Sequence, residues 1–224
     1  MKIAFIGYGN MAKALSKRWA SQYDLFIGGR NSERAAELAG EIQAAGSGTI
    51  SEAVQFGEVI VIATPANAVE EAIQSGGGAQ AFSGKVVIDI NNPVNVPGGP
   101  HDNEGDYYLP SSFEEGSLAE HIAALIPNAN IVKAFNMCQA SVWEMDPPVF
   151  DGRKLTALYC GDDSSSKTTV AELIESIGCE PVDVGELRYA RLLEASACIV
   201  IKFLFSGRDM HTVLNLIQPE VKPV

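Results

Sequence analysis

The opening stretch MKIAFIGYGNMAKA constrains the chain more than any other. A short apolar strand runs directly into Gly7-Tyr8-Gly9-Asn10-Met11-Ala12 and then into helical spacing. Gly7 suits the tight bend by which the chain leaves the strand, and Gly9 suits a place where a Cβ would hold the backbone away from a pyrophosphate. Ala12 takes the third position of the pattern, where a small residue lets helix pack on strand. The pyrophosphate would lie on the free N–H groups of a helix beginning near Asn10, favoured by those donors and by the helix dipole. A G-x-G-x-x-A spacing is weak evidence by itself. Its place between a predicted strand and a predicted helix, inside a βαβ unit, is the context that a dinucleotide fingerprint requires.

The next strand, Leu25-Phe26-Ile27, ends in Gly28-Gly29-Arg30-Asn31-Ser32-Glu33-Arg34. A site that prefers NAD carries Asp or Glu about 20 residues beyond the first glycine, to hold the ribose hydroxyls. That acid is missing here and two arginines stand near its place. Arg30 can lie over the adenine while its guanidinium reaches a 2′-phosphate, with Asn31, Ser32 and Arg34 completing the pocket. The alternative is a solvated helix start with Ser32 as its cap. The absent acid together with the arginines favours NADP.

Further on, 59–63 (VIVIA) and 85–90 (KVVIDI) are apolar runs of the kind that form buried parallel strands, ending in Thr64-Pro65 and Asn91-Asn92-Pro93. Helices are expected over 32–45, from Ser51, over 69–73 and over 117–125, the last opened by a Ser117/Glu120 capping box. Residues 130–135 supply another strand, ending in Asn136-Met137-Cys138. This alternation specifies a Rossmann-type, doubly wound parallel sheet of the α/β class, with ligands at the carboxyl ends of the strands. The prolines of 145–153 mark a boundary, giving an NADP-binding domain over 1–147 and a smaller C-terminal α/β unit over 148–224. That unit is read as a strand (155–160), a helix (164–177), an edge strand (180–184) and a long helix (187 to about 207). The Gly-, Pro- and acid-rich segment 94–115 reads as a long loop, a lid or a surface segment.

A formal net charge of −12 and a pI near 4.6 argue against nucleic acid or an anionic membrane as partners. The cysteines at 138, 160, 179 and 198 form no C-x-x-C pair, so no metal site is expected and reduced, buried thiols are. The longest apolar run, 195–205, is too short to span a bilayer and contains Lys202. With a strand at the very start and no signal peptide ahead of it, a cytoplasmic location is expected.

Taken in order, GYGNMA, GGR with Arg34, IATP, VIDINNP, the SLAE helix leading to IVKAFN, then ALYCGDD, GCEPVDVG and ARLLEA resemble the NADP-dependent oxidoreductases that reduce a deazaflavin, coenzyme F-420, and the related cytoplasmic domains of membrane metalloreductases. The resemblance runs to about Phe205. It implies that Gly7, Tyr8, Gly9, Asn10 and Met11 hold the pyrophosphate and that Arg30 and its neighbours hold the 2′-phosphate. It also implies that Ala63, Thr64 and Pro65 flank the nicotinamide ribose, and that Asn92, Pro93, Ala134 and Asn136 border the nicotinamide and the acceptor. Tyr8, where a small residue is common, and Met137, where a hydroxyl residue is expected, depart from the pattern and put the deazaflavin in doubt more than NADP. The segment 208–224 matches nothing in it.

GxGNMA also occurs in pyrroline-5-carboxylate reductases, whose proline-rich turn is replaced here by KAFNMCQ. A 3-hydroxyacid dehydrogenase would need G-x-x-x-K-x-x-x-N around Lys202, where Cys198 and Ser206 stand instead, so Lys202 reads as a snorkelling side chain. A non-catalytic NADP sensor is the third alternative. No general acid or base stands out, His101, His121 and His211 included, which suits hydride transfer between NADPH and a deazaflavin, flavin or other small acceptor: alignment and dryness suffice. The last long helix is apolar on more than one stripe, and a homodimer is expected.

Overall fold

The computed structural model describes residues 1–94 and 116–205. The chain alternates as expected. β1 (Lys2–Ile6) leads to α1 (Asn10–Trp19), β2 (Asp24–Gly28), α2 (Ser32–Ile42), β3 (Gly46–Gly48), α3 (Ile50–Phe56) and β4 (Val59–Ile62). A 3-10 turn at Ala66–Ala68 then opens α4 (Val69–Ser75), followed by α5 (Gly78–Phe82) and β5 (Val86–Asp89). After the segment outside the described residues come α6 (Leu118–Leu125), β6 (Asn130–Ala134), α7 (Ala140–Trp143) and a hairpin of β7 (Val149–Phe150) and β8 (Arg153–Lys154). The chain continues with β9 (Thr156–Gly161), α8 (Ser164–Ser176), β10 (Glu180–Asp183), a 3-10 turn at Leu187–Tyr189 and α9 (Ala190–Phe205).

Apart from the hairpin, these strands form one eight-stranded sheet in the order β10-β9-β6-β5-β4-β1-β2-β3. All its pairs are parallel except β6–β9, where Val132 faces Gly161 across an antiparallel ladder. The chain therefore reverses direction near residue 148, and β9 and β10 add to the same sheet. The order reverses between β1 and β4: numbering runs outward to β3 on one side and through β5 and β6 on the other. In such sheets ligands bind at this switch point, beyond the carboxyl ends of the strands.

The strands bury both faces, so alternate residues feed two cores. Ile3 and Phe5 of β1, with Val59 and Val61 of β4, pack under α1 and α8, while Ala4, Ile6, Ile60 and Ile62 face α3 and α6. Trp19 Nε1 donates to Leu173 O at 3.2 Å, tying α1 to α8. Several short elements escape the sequence reading, the single-turn helix α7 among them. β3 is Gly-Ser-Gly, with no β-branched or aromatic residue to signal a strand. Gly77 and Gly78 hold positive φ (106° and 63°), a pair that reads as a turn, yet the chain enters helix at once as α5. The 145–153 boundary overlaps the β7–β8 hairpin, too short to carry an alternating pattern.

Four helix starts, those of α2, α3, α6 and α8, are closed by side chains. Asn31 Oδ1 accepts from Arg34 N, Thr49 and Glu52 form a capping box, Ser117 Oγ accepts from Glu120 N, and Asp163 Oδ1 accepts from Ser166 N. The cap of α2 is thus Asn31 and not Ser32, which is the first residue of the helix. No side chain closes the start of α1. Among the described residues no helix is long and apolar enough to cross a membrane.

Candidate functional site

The uncapped start of α1 lies where β1 and β4 end. Gly7 has φ +121° and donates its N–H to Gly28 O at 2.8 Å, and a Cβ on it would lie 2.7 Å from the carbonyl carbon of Ala63. Glycine is therefore required at Gly7 by the fold itself. Gly9 differs. Its φ of −80° and ψ of −175° suit any residue, and a Cβ built there meets nothing within 4 Å. The first intrahelical bond from this turn is Lys13 N to Gly9 O at 2.9 Å, which leaves the N–H groups of Asn10, Met11 and Ala12 pointing forward without helical acceptors.

Two cavities meet at this point. The smaller, about 270 Å³, is walled by Gly7, Tyr8, Gly9, Gly29, Arg30, Arg34 and, opposite, Ala68, Glu71 and Ala72. The larger, about 690 Å³, runs from Gly9, Asn10 and Met11 past Asn91, Asn92, Phe135 and Asn136 to Ala197, Val200, Ile201 and Leu204 of α9. Gly9, Ala63, Thr64 and Pro65 line both. Thr64 Oγ1 is buried and has no hydrogen-bond partner among the described residues.

The arginines read from the sequence sit in the smaller cavity. The Arg34 guanidinium stacks over the Tyr8 ring at 4.8 Å from its centre, and Arg30 pairs with Glu71 at 3.2 Å, both ends solvent-exposed. Tyr8, the departure from the pattern, is complemented by Gly29, because any Cβ at that glycine would collide with its ring. Asn31 and Ser32 do not line either cavity, and the Asn31 side chain is engaged as a cap.

In the larger cavity Asn92 and Asn136 bond each other. Asn92 Nδ2 donates to Asn136 O at 2.8 Å, so the other end of that amide is the acceptor for Asn136 Nδ2 at 2.9 Å. That assignment leaves Asn136 Oδ1 as a buried acceptor without a donor. Phe135, just before it, holds φ at 60°, unusual for a bulky side chain, and is locked between the edges of Trp19 and Trp143 at 5.6 and 5.3 Å. The strained Phe135 backbone is what turns Asn136 out of the strand toward Asn92. Pro93 and Ala134 are buried beneath this wall and line neither cavity.

One functional-looking cluster went unread in the sequence. Lys133 of β6 is fully buried between Asp89 of β5 and Glu194 of α9, with Nζ 2.8 Å from a carboxylate oxygen of each. Burial pulls the Lys133 ammonium pKa down, but the two carboxylates outweigh it and hold it above the ordinary lysine value. Burial pushes the Glu194 carboxyl up against the opposing pull of Lys133. A lysine inside an apolar strand and a glutamate on a helix give no sequence signal of meeting. Cys160, Cys179 and Cys198 are buried and Cys138 partly so, and burial raises Cys138, Cys179 and Cys198 to about 11 and Cys160 to about 12. No cluster of His, Cys, Asp and Glu among the described residues could hold a metal.

Residues 2–93 match the family described as NADP oxidoreductase, coenzyme F420-dependent. The segments GYGNMA, GGR, IATP and VIDINNP all fall within that match. The chain is 27% identical to the F420-dependent NADP reductase of Methanocaldococcus jannaschii over 234 aligned positions, covering 99% of this chain and 100% of that protein. It is 31% identical to rat Metalloreductase STEAP3 over 195 residues, 87% of this chain but only 36% of the metalloreductase, so it spans about a third of that relative. The fold matches a crystal structure from Arthrobacter sp. FB24 assigned to the F420-dependent NADP reductases, with a TM-score of 0.79, 24% identity and coverage of 92% and 94% of the two chains.

Proposed function

We propose that the chain is an NADPH-dependent oxidoreductase that passes hydride between NADPH and a deazaflavin, flavin or other small acceptor. The observation that carries this is the pair of cavities joined at Gly9, Ala63, Thr64 and Pro65, one lined by arginines and the other apolar. Arg30 and Arg34 would hold the 2′-phosphate, and the free N–H groups at the start of α1 would hold the pyrophosphate. Gly9 leaves room for it, and the buried Thr64 hydroxyl supplies a donor on the way to the larger cavity. When bound there, the nicotinamide supplies the hydride. The walls of the larger cavity, Met11, Ile90, Phe135, Met137, Val200 and Ile201 among them, would stack the acceptor and keep water out, which is the protein's part in such a transfer.

The relatives support this reading through their names alone, and the choice of acceptor is ours. We also assign the protein to the cytoplasm and, on the exposure of Leu192 and Ile199 along α9, to a homodimer. Residues 95–115, with His101, and 206–224, with His211, lie outside the described residues. The test is steady oxidation of NADPH, followed at its absorbance band, against a panel of 5-deazariboflavin, riboflavin, ferric citrate and a cyclic imine. Turnover with the deazaflavin is expected. Tight NADPH binding without turnover on any acceptor would replace the enzyme by a dinucleotide sensor.

A further inference from the structure

Three of the motif segments, VIDINNP, IVKAFN and ARLLEA, meet in the buried cluster around Lys133. Its ammonium donates to Asp89 Oδ2, to Glu194 Oε1 and to Asn91 O, which uses all three of its protons. Asp89 Oδ1 accepts from the Asn91 N–H at 3.0 Å and from Asn91 Nδ2 at 2.9 Å. Glu194 accepts from Leu118 N at 3.0 Å and Ala119 N at 3.3 Å, the first N–H groups of α6, where the helix dipole also favours a negative charge. Every carboxylate oxygen has a donor, so the cluster has no proton to lend to the cavity and no need of a ligand.

What it has is position. On one side it fixes Asn91, which lines the larger cavity and precedes Asn92, the partner of Asn136. On the other it fixes α9 at Glu194, and the residues that follow on the same helix face, Ala197 and Ile201, form the opposite cavity wall. The other anchors of this part of α9 are the half-exposed Arg191–Glu120 ion pair to α6, which water screens, and the small or apolar contacts of Ala190, Leu193 and Cys198, so Glu194 is the buried polar tie that fixes its register.

We infer that Lys133 is a positioning residue: through Glu194 it holds α9 closed over the acceptor half of the site, while the arginine-lined half is independent of it. The reading of the larger cavity as the acceptor half rests on the function proposed above. The test compares the full chain with Glu194→Gln, which keeps the shape of the side chain and removes its charge, and with Lys133→Met. Adenosine 2′,5′-bisphosphate, which needs only the smaller cavity, is titrated by calorimetry. N-ethylmaleimide labelling of Cys198, buried on α9, is followed by mass spectrometry, and NADPH oxidation is measured with 5-deazariboflavin.

In Glu194→Gln the bisphosphate dissociation constant should stay within about twofold, Cys198 labelling should quicken by about tenfold or more, and kcat/KM should fall by about tenfold, chiefly through KM. Unchanged labelling would overturn the inference, because α9 would then be held by packing and by the Arg191–Glu120 pair without the cluster. Parallel loss of bisphosphate binding, activity and helical signal would also overturn it, since the cluster would then support the fold as a whole. If Lys133→Met does not fold, Glu194→Gln decides. If the unaltered chain binds no bisphosphate or never oxidises NADPH, the proposed function fails, and the labelling of Cys198 still decides whether the cluster holds α9.

Discussion

Gly9→Val separates a binding role for the glycine turn from a folding role. The new side chain has a permitted backbone, φ −80° and ψ −175°, and no heavy atom within 4 Å of its Cβ. Its cost to the fold is that of a poorer helix cap, about 1 kcal/mol, or a few degrees in Tm for a chain of this length. Its cost to binding is larger, because it fills the space shared by the two cavities, in front of the N–H groups of Asn10, Met11 and Ala12. Losing two hydrogen bonds to a charged pyrophosphate, at about 1.5–3 kcal/mol each, weakens binding by at least about a hundredfold. NADPH fluorescence titration measures the loss and thermal melting measures the fold. Gly7→Ala should do the reverse in part: with φ +121° and the Ala63 carbonyl in the way, it should lower Tm strongly before any effect on binding is read. Normal NADPH titration by a folded Gly9→Val protein would refute the assignment of this turn to the pyrophosphate.

Arg30→Ala should remove most of a preference for NADPH over NADH expected to be about a hundredfold, while Glu71→Gln, which frees Arg30 from its 3.2 Å partner, should tighten NADPH by about threefold and leave NADH unchanged; calorimetry with both dinucleotides checks the pair. The buried thiols keep their protons in the folded chain to about 11 or 12, whereas unfolded thiols lose them near 8.5, so the unfolded state binds fewer protons above that pH. Stability should therefore be unaffected by these groups below about pH 8 and fall between about 8.5 and 11, by up to about 1.4 kcal/mol per pH unit for each thiol, and denaturant melts of Cys179→Ala should show a shallower fall. Light scattering should give about twice the 23.8 kDa chain mass, and Leu192→Glu with Ile199→Glu, both on the exposed side of α9, should return it to the monomer.

The parts of the fold legible in the sequence were those written in local pattern. β1, β4 and β5 are continuous apolar runs because both of their faces are covered, and Gly7 stands at a bend that requires a glycine, whereas Gly9 borders open space. Arg30 and Arg34 were legible because the end of β2 is a fixed distance from the turn. Ser32 and Asn31 were harder, since a polar residue at a helix start serves a cap and a phosphate equally well; here Asn31 is the cap. The Lys133 cluster was out of reach for a different reason. Its members are separated by 44 and 61 residues and are joined only when β5, β6 and α9 come together. The contact of Tyr8 with Gly29 is of the same kind: an unusual side chain at one loop is accommodated by a missing one at another.

The central claim is that NADPH and its acceptor occupy the two joined cavities together, so that hydride passes directly between them. The most direct measurement is single-turnover reduction of 5-deazariboflavin by NADPH carrying deuterium on one face of the nicotinamide C4, with mass analysis of the product, because reduced deazaflavin holds the transferred hydrogen on carbon and does not exchange it with water. Direct transfer predicts full retention of deuterium from one face and none from the other. NADPH oxidation that leaves the label in solvent, or that draws equally on both faces, would contradict it.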